Sequence, residues 1–321
     1  MKTVAHYAKI IEDAISTLPL DKQPVGLYAP IKYALEAGGK RLRPVLVLSV
    51  ADALCGNPGA AVNQALGVEM FHNFTLLHDD VMDKADVRRG RPTVHRKFSE
   101  STAILSGDAM LTLAGMIVMK GCNPDQLPKV LDLFKATAME IYEGQQYDMD
   151  FESRADVTVE EYMEMIRLKT SVLLGCACAM GAIMAKADDT VVKAFNSYGE
   201  KLGLSFQLKD DWLDTYGDPA TFGKEIGGDI VNEKKTWLLI NAIAEDKSGV
   251  LAEVLGTAVE PHEKIEKVRG VYDALMLSDR CRALEEKYAS EAVECLDGIN
   301  LNPEARQFFE SLAINSVKRT K

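Results

Sequence analysis

Several common signatures are missing from this 321-residue sequence. Its six cysteines include no C-x-x-C pair and no Cys/His array at zinc-site spacing. We interpret them as small buried side chains in a reducing compartment. Glu12 and Asp13 interrupt the N-terminal apolar pattern, which argues against a secretory signal peptide. No uninterrupted apolar run approaches the ~20 residues that span a bilayer. We therefore expect a cytoplasmic protein without stable membrane insertion.

Positive charge is also scarce, because 37 Lys and Arg face 48 Asp and Glu and leave a formal net charge of -11. A net charge this negative argues against broad nucleic-acid binding through a basic face. Any anionic ligand must be held by local cations or metal ions against the field of the whole protein. The charge balance therefore predicts no nucleic-acid partner and a focused site for any anion.

Alternating β-strand runs are missing too, whereas apolar residues at i, i+3 and i+4 recur along the chain. Glycine- and proline-rich breakers such as "CGNPG", "GCNPDQLP" and "YGDPATFG" separate these segments. No linker is long or polar enough to divide the chain. The pattern predicts an all-α protein of roughly ten to thirteen helices, forming one domain over residues 1–321.

A first acidic cluster, "HDDVMD", lies on an otherwise apolar helical segment. Asp79 and Asp83 share one helical face with His72, and Asp80 lies beside that face. Carboxylates four residues apart destabilise a helix by a few tenths of a kcal/mol. A hard divalent cation such as Mg²⁺ reverses that effect and exchanges its waters for phosphate oxygens. The cluster therefore predicts a metal site, with a solvated acidic helix face as the alternative.

The same D-D-x-x-D spacing returns in "QLKDDWLD". Asp210, Asp211 and Asp214 form a helical stripe with Gln207. This repetition argues against chance. Two such stripes facing each other in a helical bundle would hold several Mg²⁺ ions, and so a highly charged oxygen ligand such as a diphosphate.

Cations are clustered near these motifs. "GGKRLRP" places Lys40 and Arg43 in a tight connection at a helix N-terminus, where backbone N–H groups and the helix dipole favour anions. Arg88 and Arg89 follow the first acidic cluster within one further turn. Further cations interrupt apolar segments at Lys169, Lys224 and Lys234. Each lysine alone is more often a surface residue.

In this order, the motifs closely resemble those of the trans-isoprenyl (polyprenyl) diphosphate synthases. The resemblance extends from Gly38 to Lys234 and includes G-G-K-x-x-R-P, both acidic motifs, R-R-G-x-P-T, G-Q-x-x-D at 144–148 and K-T at 169–170. It implies an all-helical bundle of the isoprenoid synthase type around a deep central cavity, usually homodimeric.

The resemblance also implies a role for each site residue. Isopentenyl diphosphate would be bound by Lys40, Arg43, His72 and Arg89. The allylic diphosphate would be bound by Arg88, Lys169 and Lys234, with Lys224 beside them. Three Mg²⁺ ions are expected with substrate bound, ligated directly by Asp79, Asp83 and Asp210 and partly through water by Asp80, Asp211 and Asp214. Thr170 and Gln207 would stabilise the allylic cation.

Product length in this family is gated just before the first acidic motif. Phe74 and Thr75 are fifth and fourth before Asp79. An aromatic residue followed by a small one resembles geranylgeranyl synthases more than farnesyl synthases. The expected primers are dimethylallyl, geranyl or farnesyl diphosphate.

Three alternatives stay open at this point. A class I terpene cyclase also ionises a diphosphate with Mg²⁺, although it would lack the second diphosphate pocket that "GGKRLRP" and Arg89 indicate. A di-iron carboxylate bundle would use Glu69-x-x-His72, but it needs a second E-x-x-H that the chain lacks. A catalytically silent partner subunit is the third alternative.

Overall fold

A computed structural model describes residues 1–218 and 226–318. Sixteen α-helices dominate these residues, which confirms the all-α prediction, and several are only one turn long. In chain order they are α1 (Val4–Ser16), α2 (Val25–Leu35), α3 (Leu42–Cys55), α4 (Val62–Met82), α5 (Val94–Lys97), α6 (Glu100–Val118), α7 (Gln126–Ser153), α8 (Val159–Ile166), α9 (Val172–Met184), α10 (Asp189–Tyr216), α11 (Gly228–Val231), α12 (Trp237–Glu245), α13 (Val250–Val254), α14 (Pro261–Ala274), α15 (Leu277–Glu294) and α16 (Pro303–Lys318).

The chain forms two compact units, each built from two segments. The first contains Met1–Ala136 and Cys176–Asn196, and the second contains Thr137–Gly175 and Ser197–Lys321. The chain passes from one unit to the other within α7, α9 and α10 rather than through linkers.

The first unit is organised around α4, which packs along α6 and also against α3 and α1. Gly67 allows α4 to lie close to α6, because a Cβ at this position would lie 2.4 Å from a Val118 side-chain carbon. α4 is buried along most of its length, including Val68, Met70 and Phe71. This burial holds the first acidic motif at the C-terminal end of a well-packed helix.

The second unit has an apolar core built largely from α8, α10, α12, α14 and α15. Tyr162, Leu208, Trp237, Tyr272 and Cys281 are among its buried residues. α8 begins with a capping box, in which Thr158 and Glu161 each accept the other's backbone N–H. The core thereby fixes α8 beside the segment of α10 that carries the second acidic motif.

A π-helical turn, Arg167–Ser171, joins α8 to α9 and carries Lys169 and Thr170. Two glycines allow neighbouring helices to approach this turn. A Cβ at Gly144 of α7 would lie 2.4 Å from the Lys169 backbone nitrogen, and one at Gly203 of α10 would lie 2.5 Å from the Ser171 Cα. Since π-turns occur often at functional sites, the close packing marks this turn as a candidate site element.

Two tight turns shape the basic segments of the first unit. Gly38 and Gly39 have positive φ, and Arg41 in the left-handed region precedes α3. A small hairpin pairs Val87 with Pro92 and Arg88 with Arg91. Its turn residues, Arg89 and Gly90, both have positive φ, as two-residue hairpin turns require. The sequence pattern predicted no strand here.

Two helical stretches, Glu100–Val118 and Val159–Met184, have the length and apolar composition to cross a membrane. The second is 83% buried, as a core helix would be, and the first is 39% buried. The expectation of no spanning segment rested on uninterrupted apolar runs, and both stretches contain interspersed polar residues. Composition alone does not distinguish a membrane segment from a core helix.

We expect Gly144→Ala to destabilise the protein, because the new methyl group would meet the Lys169 backbone rather than a movable side chain. Overpacking of this kind costs roughly 1–3 kcal/mol. Gly270→Ala is the control: this helical glycine has open space around it, so its replacement should stabilise by up to about 1 kcal/mol. Urea unfolding of both variants measures the difference. Equal stability of Gly144→Ala and wild type would refute the close approach.

Candidate active site

The predicted isopentenyl diphosphate residues converge in the first unit. The Arg89 guanidinium donates to the Gly38 carbonyl oxygen, and a Cβ at Gly39 would lie 2.7 Å from its Cζ. Arg43 Nη1 lies 3.1 Å from His72 Nε2. Lys40 follows Gly39 directly in the same turn. Residues from the α2–α3 turn, α4 and the hairpin therefore form one basic group.

His72 is neutral in this group. A guanidinium can only donate, so Nε2 accepts from Arg43 and the ring proton is assigned to Nδ1. Burial, followed by the positive charge of Arg43 and Arg89, holds the pKa of His72 well below its ordinary value. His72 therefore orients Arg43 and adds no charge of its own.

Arg41 has a structural role beside this group. Its side chain is buried, donating to Glu12 Oε1 at 2.7 Å, to Glu69 Oε1 at 2.6 Å and to the Leu35 carbonyl at 2.7 Å. Asn73 Nδ2 also donates to Glu69 Oε1, at 2.9 Å. Because these donors occupy the Glu69 carboxylate, the structure does not favour the di-iron alternative.

The three aspartates of the first acidic motif have different surroundings. Asp79 is half-buried near the end of α4, and Asp83 is exposed at its C-cap. Asp80 is only 3% exposed and accepts from Arg88 Nε at 2.7 Å. Burial raises the pKa of Asp80, and the pair with Arg88 opposes that rise. Arg88, predicted to bind a diphosphate, thus holds Asp80 in this structure.

The two predicted chain-length residues point in different directions from α4. Phe74 is buried, with its ring 4.8 Å from the His78 ring and 5.4 Å from the Phe71 ring. His78 Nε2 lies 3.1 Å from the Ile104 carbonyl oxygen of α6. Thr75 is half-buried and donates to the His72 carbonyl oxygen. The role of this pair in product length stays a prediction.

A cluster of charged residues surrounds Asp148 in the second unit. Lys169 Nζ lies 2.5 Å from Asp148 Oδ2. Burial favours the protonated acid, but Lys234 and Lys169 outweigh it and lower the pKa of Asp148. Two of the predicted allylic diphosphate lysines are therefore gathered around one carboxylate. The third, Lys224, lies outside the described residues.

The second acidic motif is linked to Thr170 by hydrogen bonds. Thr170 Oγ1 donates to Gln207 Oε1 at 3.0 Å, and Gln207 Nε2 donates to Asp211 Oδ1 at 2.9 Å. The Tyr162 hydroxyl donates to the other oxygen of Asp211. Burial raises the pKa of Asp211 to about 6, against the lowering influence of Lys234 and of these donors.

The other two members of the second motif differ again. Asp214 Oδ2 accepts the Asp229 backbone N–H at 2.9 Å, which ties α10 to the start of α11. Asp210 is half-buried one position before Asp211. The motif therefore contains two aspartates that are held by protein donors, as Asp80 is in the first motif.

The carboxylates suit a hard divalent cation without forming a preformed cage. Within residues 1–218 and 226–318, no three His, Cys, Asp or Glu side chains converge on a metal position. Mg²⁺ is usually bound through one or two carboxylates together with waters and substrate phosphates. Asp79 and Asp83 in the first unit, and Asp210 in the second, fit that mode of binding.

Sequence reasoning left two of these residues without a role. Asp148 belongs to the G-Q-x-x-D motif, but it lies 21 residues before Lys169 on a different helix, so no local spacing indicates the pairing. Tyr162 occupies an ordinary apolar position of an amphipathic helix, and nothing in the local pattern marks its hydroxyl. Only the packing of α8 against α10 brings it to Asp211.

We predict that His72 makes the stability of the protein depend on pH. Its folded pKa lies below its ordinary value, so the unfolded chain takes up the proton first. The stabilisation is complete above about pH 6.5 and is lost as the pH falls below it, by up to ~1.4 kcal/mol per pH unit. His72→Gln keeps an acceptor for Arg43 and should flatten the slope of unfolding free energy between pH 7 and 5.

Urea unfolding at several pH values measures this slope. His262→Gln replaces an exposed imidazole on α14 and controls for the loss of a histidine. A slope in His72→Gln as steep as that of the wild type would contradict the assignment.

Comparison with known proteins identifies the family of this chain. The family model for polyprenyl synthetase matches residues 24–275. Geranylgeranyl diphosphate synthase of Methanosarcina mazei is 39% identical over 295 residues, covering 92% of this chain and 90% of that protein. A crystal structure of geranylgeranyl pyrophosphate synthase has a TM-score of 0.95 at 40% identity and covers 100% of both chains.

A solved geranylgeranyl pyrophosphate synthase from Corynebacterium glutamicum is complexed with isoprenyl diphosphate and magnesium. It has a TM-score of 0.88 at 27% identity, covering 99% of this chain and 100% of that one. Since the family model covers most of the sequence and the Methanosarcina relative nearly all of it, the chain belongs to the polyprenyl synthetase family and is a prenyltransferase that elongates prenyl chains.

Proposed function

We propose that this enzyme joins isopentenyl diphosphate head-to-tail to an allylic diphosphate, giving a short-chain trans-prenyl diphosphate with geranylgeranyl favoured over farnesyl. The observation that carries the proposal is the presence of two groups of cations, one in each unit. One group surrounds His72 in the first unit, and the other surrounds Asp148 in the second. A terpene cyclase needs only one diphosphate site.

The first group binds isopentenyl diphosphate in this proposal. Its supports are the Arg43–His72 contact, the Arg89 guanidinium at Gly38 and Gly39, and Lys40 in the same turn. A neutral His72 can donate to a phosphate oxygen from Nδ1 while Nε2 orients Arg43. Backbone N–H groups at the start of α3 add to the positive field.

The second group binds the allylic diphosphate. Lys169 and Lys234 supply two positive charges, and Asp148 holds Lys169 in place until phosphate oxygens compete for it. Arg88 is proposed as an allylic diphosphate ligand on the sequence motif, and within its own unit its guanidinium is held by Asp80. Lys224 is proposed on the sequence motif alone.

Magnesium would be held by Asp79, Asp83 and Asp210, with three ions bound in the substrate complex. When bound, it neutralises the charge that develops on the leaving diphosphate. Asp80, Asp211 and Asp214 already accept from protein donors, so we assign them contacts through water.

The chemistry begins with ionisation of the allylic C–O bond. Lys169 and Lys234 stabilise negative charge on the departing diphosphate, which is the charge that grows in the transition state. The hydroxyl of Thr170 and the carbonyl oxygen of Gln207 present negative dipole ends to the allylic cation. The isopentenyl double bond attacks this cation, and the released diphosphate removes the proton. No side-chain base is required.

We also propose a cytoplasmic homodimer working as one catalytic domain over residues 1–321. On α6, Ile104 is 43%, Leu105 60% and Met116 53% exposed, and Asp108 and Thr112 share that side of the helix. Large exposed apolar side chains, methionine among them, occur in protein interfaces. A second copy of the chain is the occupant we assign to this face.

The reaction itself tests the proposal. Purified protein is incubated with labelled isopentenyl diphosphate, Mg²⁺ and each allylic primer in turn, and the dephosphorylated products are separated by chain length. We expect Asp79→Ala and Asp210→Ala to lower turnover roughly 10³-fold, because several kcal/mol of transition-state stabilisation is lost. Both variants should retain the helical circular dichroism spectrum.

Asp132→Ala, at an exposed position of α7, is the matched control and should be fully active. Full activity of either motif variant would refute the metal assignment. A cyclic product without incorporated label would support a terpene cyclase instead, and no product from any primer would support a silent subunit.

Phe74→Ala is expected to lengthen the product. In the proposal, the Phe74 ring limits the space for the growing prenyl chain one turn before the first acidic motif, and the substitution removes that ring. The substitution also leaves a cavity in the core, which lowers the free energy of unfolding by about 3–5 kcal/mol. Phe74→Leu leaves a smaller cavity and serves as a milder version. Phe195→Ala, which deletes a fully buried ring from α10, controls for lost stability and should leave the length unchanged. If Phe74→Ala gives the wild-type product distribution, another residue limits the length of the product.

A further inference from the structure

Tyr162 is the feature of the second unit that the proposed chemistry does not use. Its side chain is 1% exposed, within the core that α8 shares with α10 and α12. The hydroxyl nevertheless donates to Asp211, in the middle of the second acidic motif. A buried hydroxyl usually has a hydrogen-bond partner. The partner of Tyr162 is a carboxylate of the candidate active site.

Asp211 in turn decides how the Gln207 amide is oriented. An ionised carboxylate can only accept, so the NH₂ group of Gln207 must face Asp211 Oδ1, at 2.9 Å. The carbonyl oxygen of Gln207 is thereby directed to Thr170, whose hydroxyl donates to it at 3.0 Å. The hydrogen bonds therefore fix an amide orientation that a glutamine alone leaves ambiguous.

We propose that Tyr162 is a positioning residue for the allylic cation site, holding Asp211 so that the Gln207 carbonyl oxygen and the Thr170 hydroxyl keep the orientation that stabilises the cation. This inference rests on the proposed function. It assigns Asp211 an orienting role, whereas Asp79, Asp83 and Asp210 remain the direct metal ligands.

The physical reason lies in the two oxygens of Asp211. A buried carboxylate is stable only when donors satisfy it, and here Tyr162 and Gln207 approach different oxygens. With both oxygens held, the carboxylate cannot rotate, and the amide it fixes cannot flip. Without the Tyr162 hydroxyl, one oxygen is released and the Gln207 amide loses its rigid support.

Tyr162→Phe tests the inference, since it removes only the hydroxyl. We expect kcat to fall about tenfold or more, equivalent to ~1.4 kcal/mol, with the KM for isopentenyl diphosphate changed less than about twofold. Tyr198→Phe is the matched control, because it removes another buried tyrosine hydroxyl of the second unit, which donates to the Phe309 carbonyl at 2.9 Å. This control should lower stability and leave kcat near that of the wild type.

A double-mutant cycle separates positioning from a merely structural effect. If Tyr162 acts through Gln207, then Tyr162→Phe should change kcat less than about twofold in a Gln207→Leu background. The same fold loss in both backgrounds would overturn the inference. So would a kcat for Tyr162→Phe equal to that of Tyr198→Phe.

A binding measurement gives a second readout that does not depend on turnover, and it decides the matter if Tyr162→Phe fails to fold. Calorimetry with MgCl₂ and inorganic diphosphate compares wild type, Asp210→Asn and Asp211→Asn. We expect Asp210→Asn, which removes a direct ligand, to weaken binding clearly more than Asp211→Asn, which removes a contact through water and whose larger effect should be on kcat. Equal weakening by both variants would make Asp211 a metal ligand and overturn its orienting role.

These results separate the inference from the function on which it rests. Wild-type protein that makes no prenyl product contradicts the proposed function. If the wild-type protein is active and the kcat losses of Tyr162→Phe and Gln207→Leu are additive, only the role of Tyr162 is contradicted.

Discussion

A carboxylate can be buried only where donors replace its water, and this constraint shapes both acidic motifs. In each motif the second aspartate is the buried one, Asp80 at 3% and Asp211 at 5% exposure. Each accepts from a residue on another element, Arg88 in the first case and Tyr162 in the second. The first aspartate of each motif, Asp79 or Asp210, is half-buried. The repeated D-D thus joins one fully buried carboxylate to one that is partly exposed.

The cations, like the carboxylates, are held by specific partners within the protein. Arg41 and Arg43 are two residues apart, yet Arg41 holds α3 through Glu12 and Glu69, whereas Arg43 contacts neutral His72. Lys169 is positioned by Asp148 and by a π-turn that glycines on two neighbouring helices allow to pack closely. Charged groups are therefore held in place by neighbouring side chains and close backbone packing, in a chain whose net charge is -11.

Much of this arrangement could be predicted from the sequence. Helical periodicity predicted the all-α class. The repeated D-D-x-x-D spacing predicted metal and diphosphate binding, because spacing along a helix determines which side chains share a face, and the order of the motifs predicted the family. The hairpin at Arg88 could not be predicted, because strands of two residues are too short to show an alternating pattern. The separate structural role of Arg41 and the contact of Tyr162 with Asp211 could not be foreseen either, because both depend on packing between elements distant in sequence.

The hairpin at Val87–Pro92 also determines which partner each of two adjacent arginines contacts. Arg88 lies in a strand and turns back to Asp80, whereas Arg89 occupies the left-handed turn position and reaches Gly38. Two adjacent, chemically identical side chains are thus sent to different partners by backbone conformation alone. One residue deleted between Met82 and Arg88 would put Arg89 in the place of Arg88 and Gly90 in the place of Arg89, so the turn position would lose its guanidinium. In this loop, length is therefore as informative as residue identity.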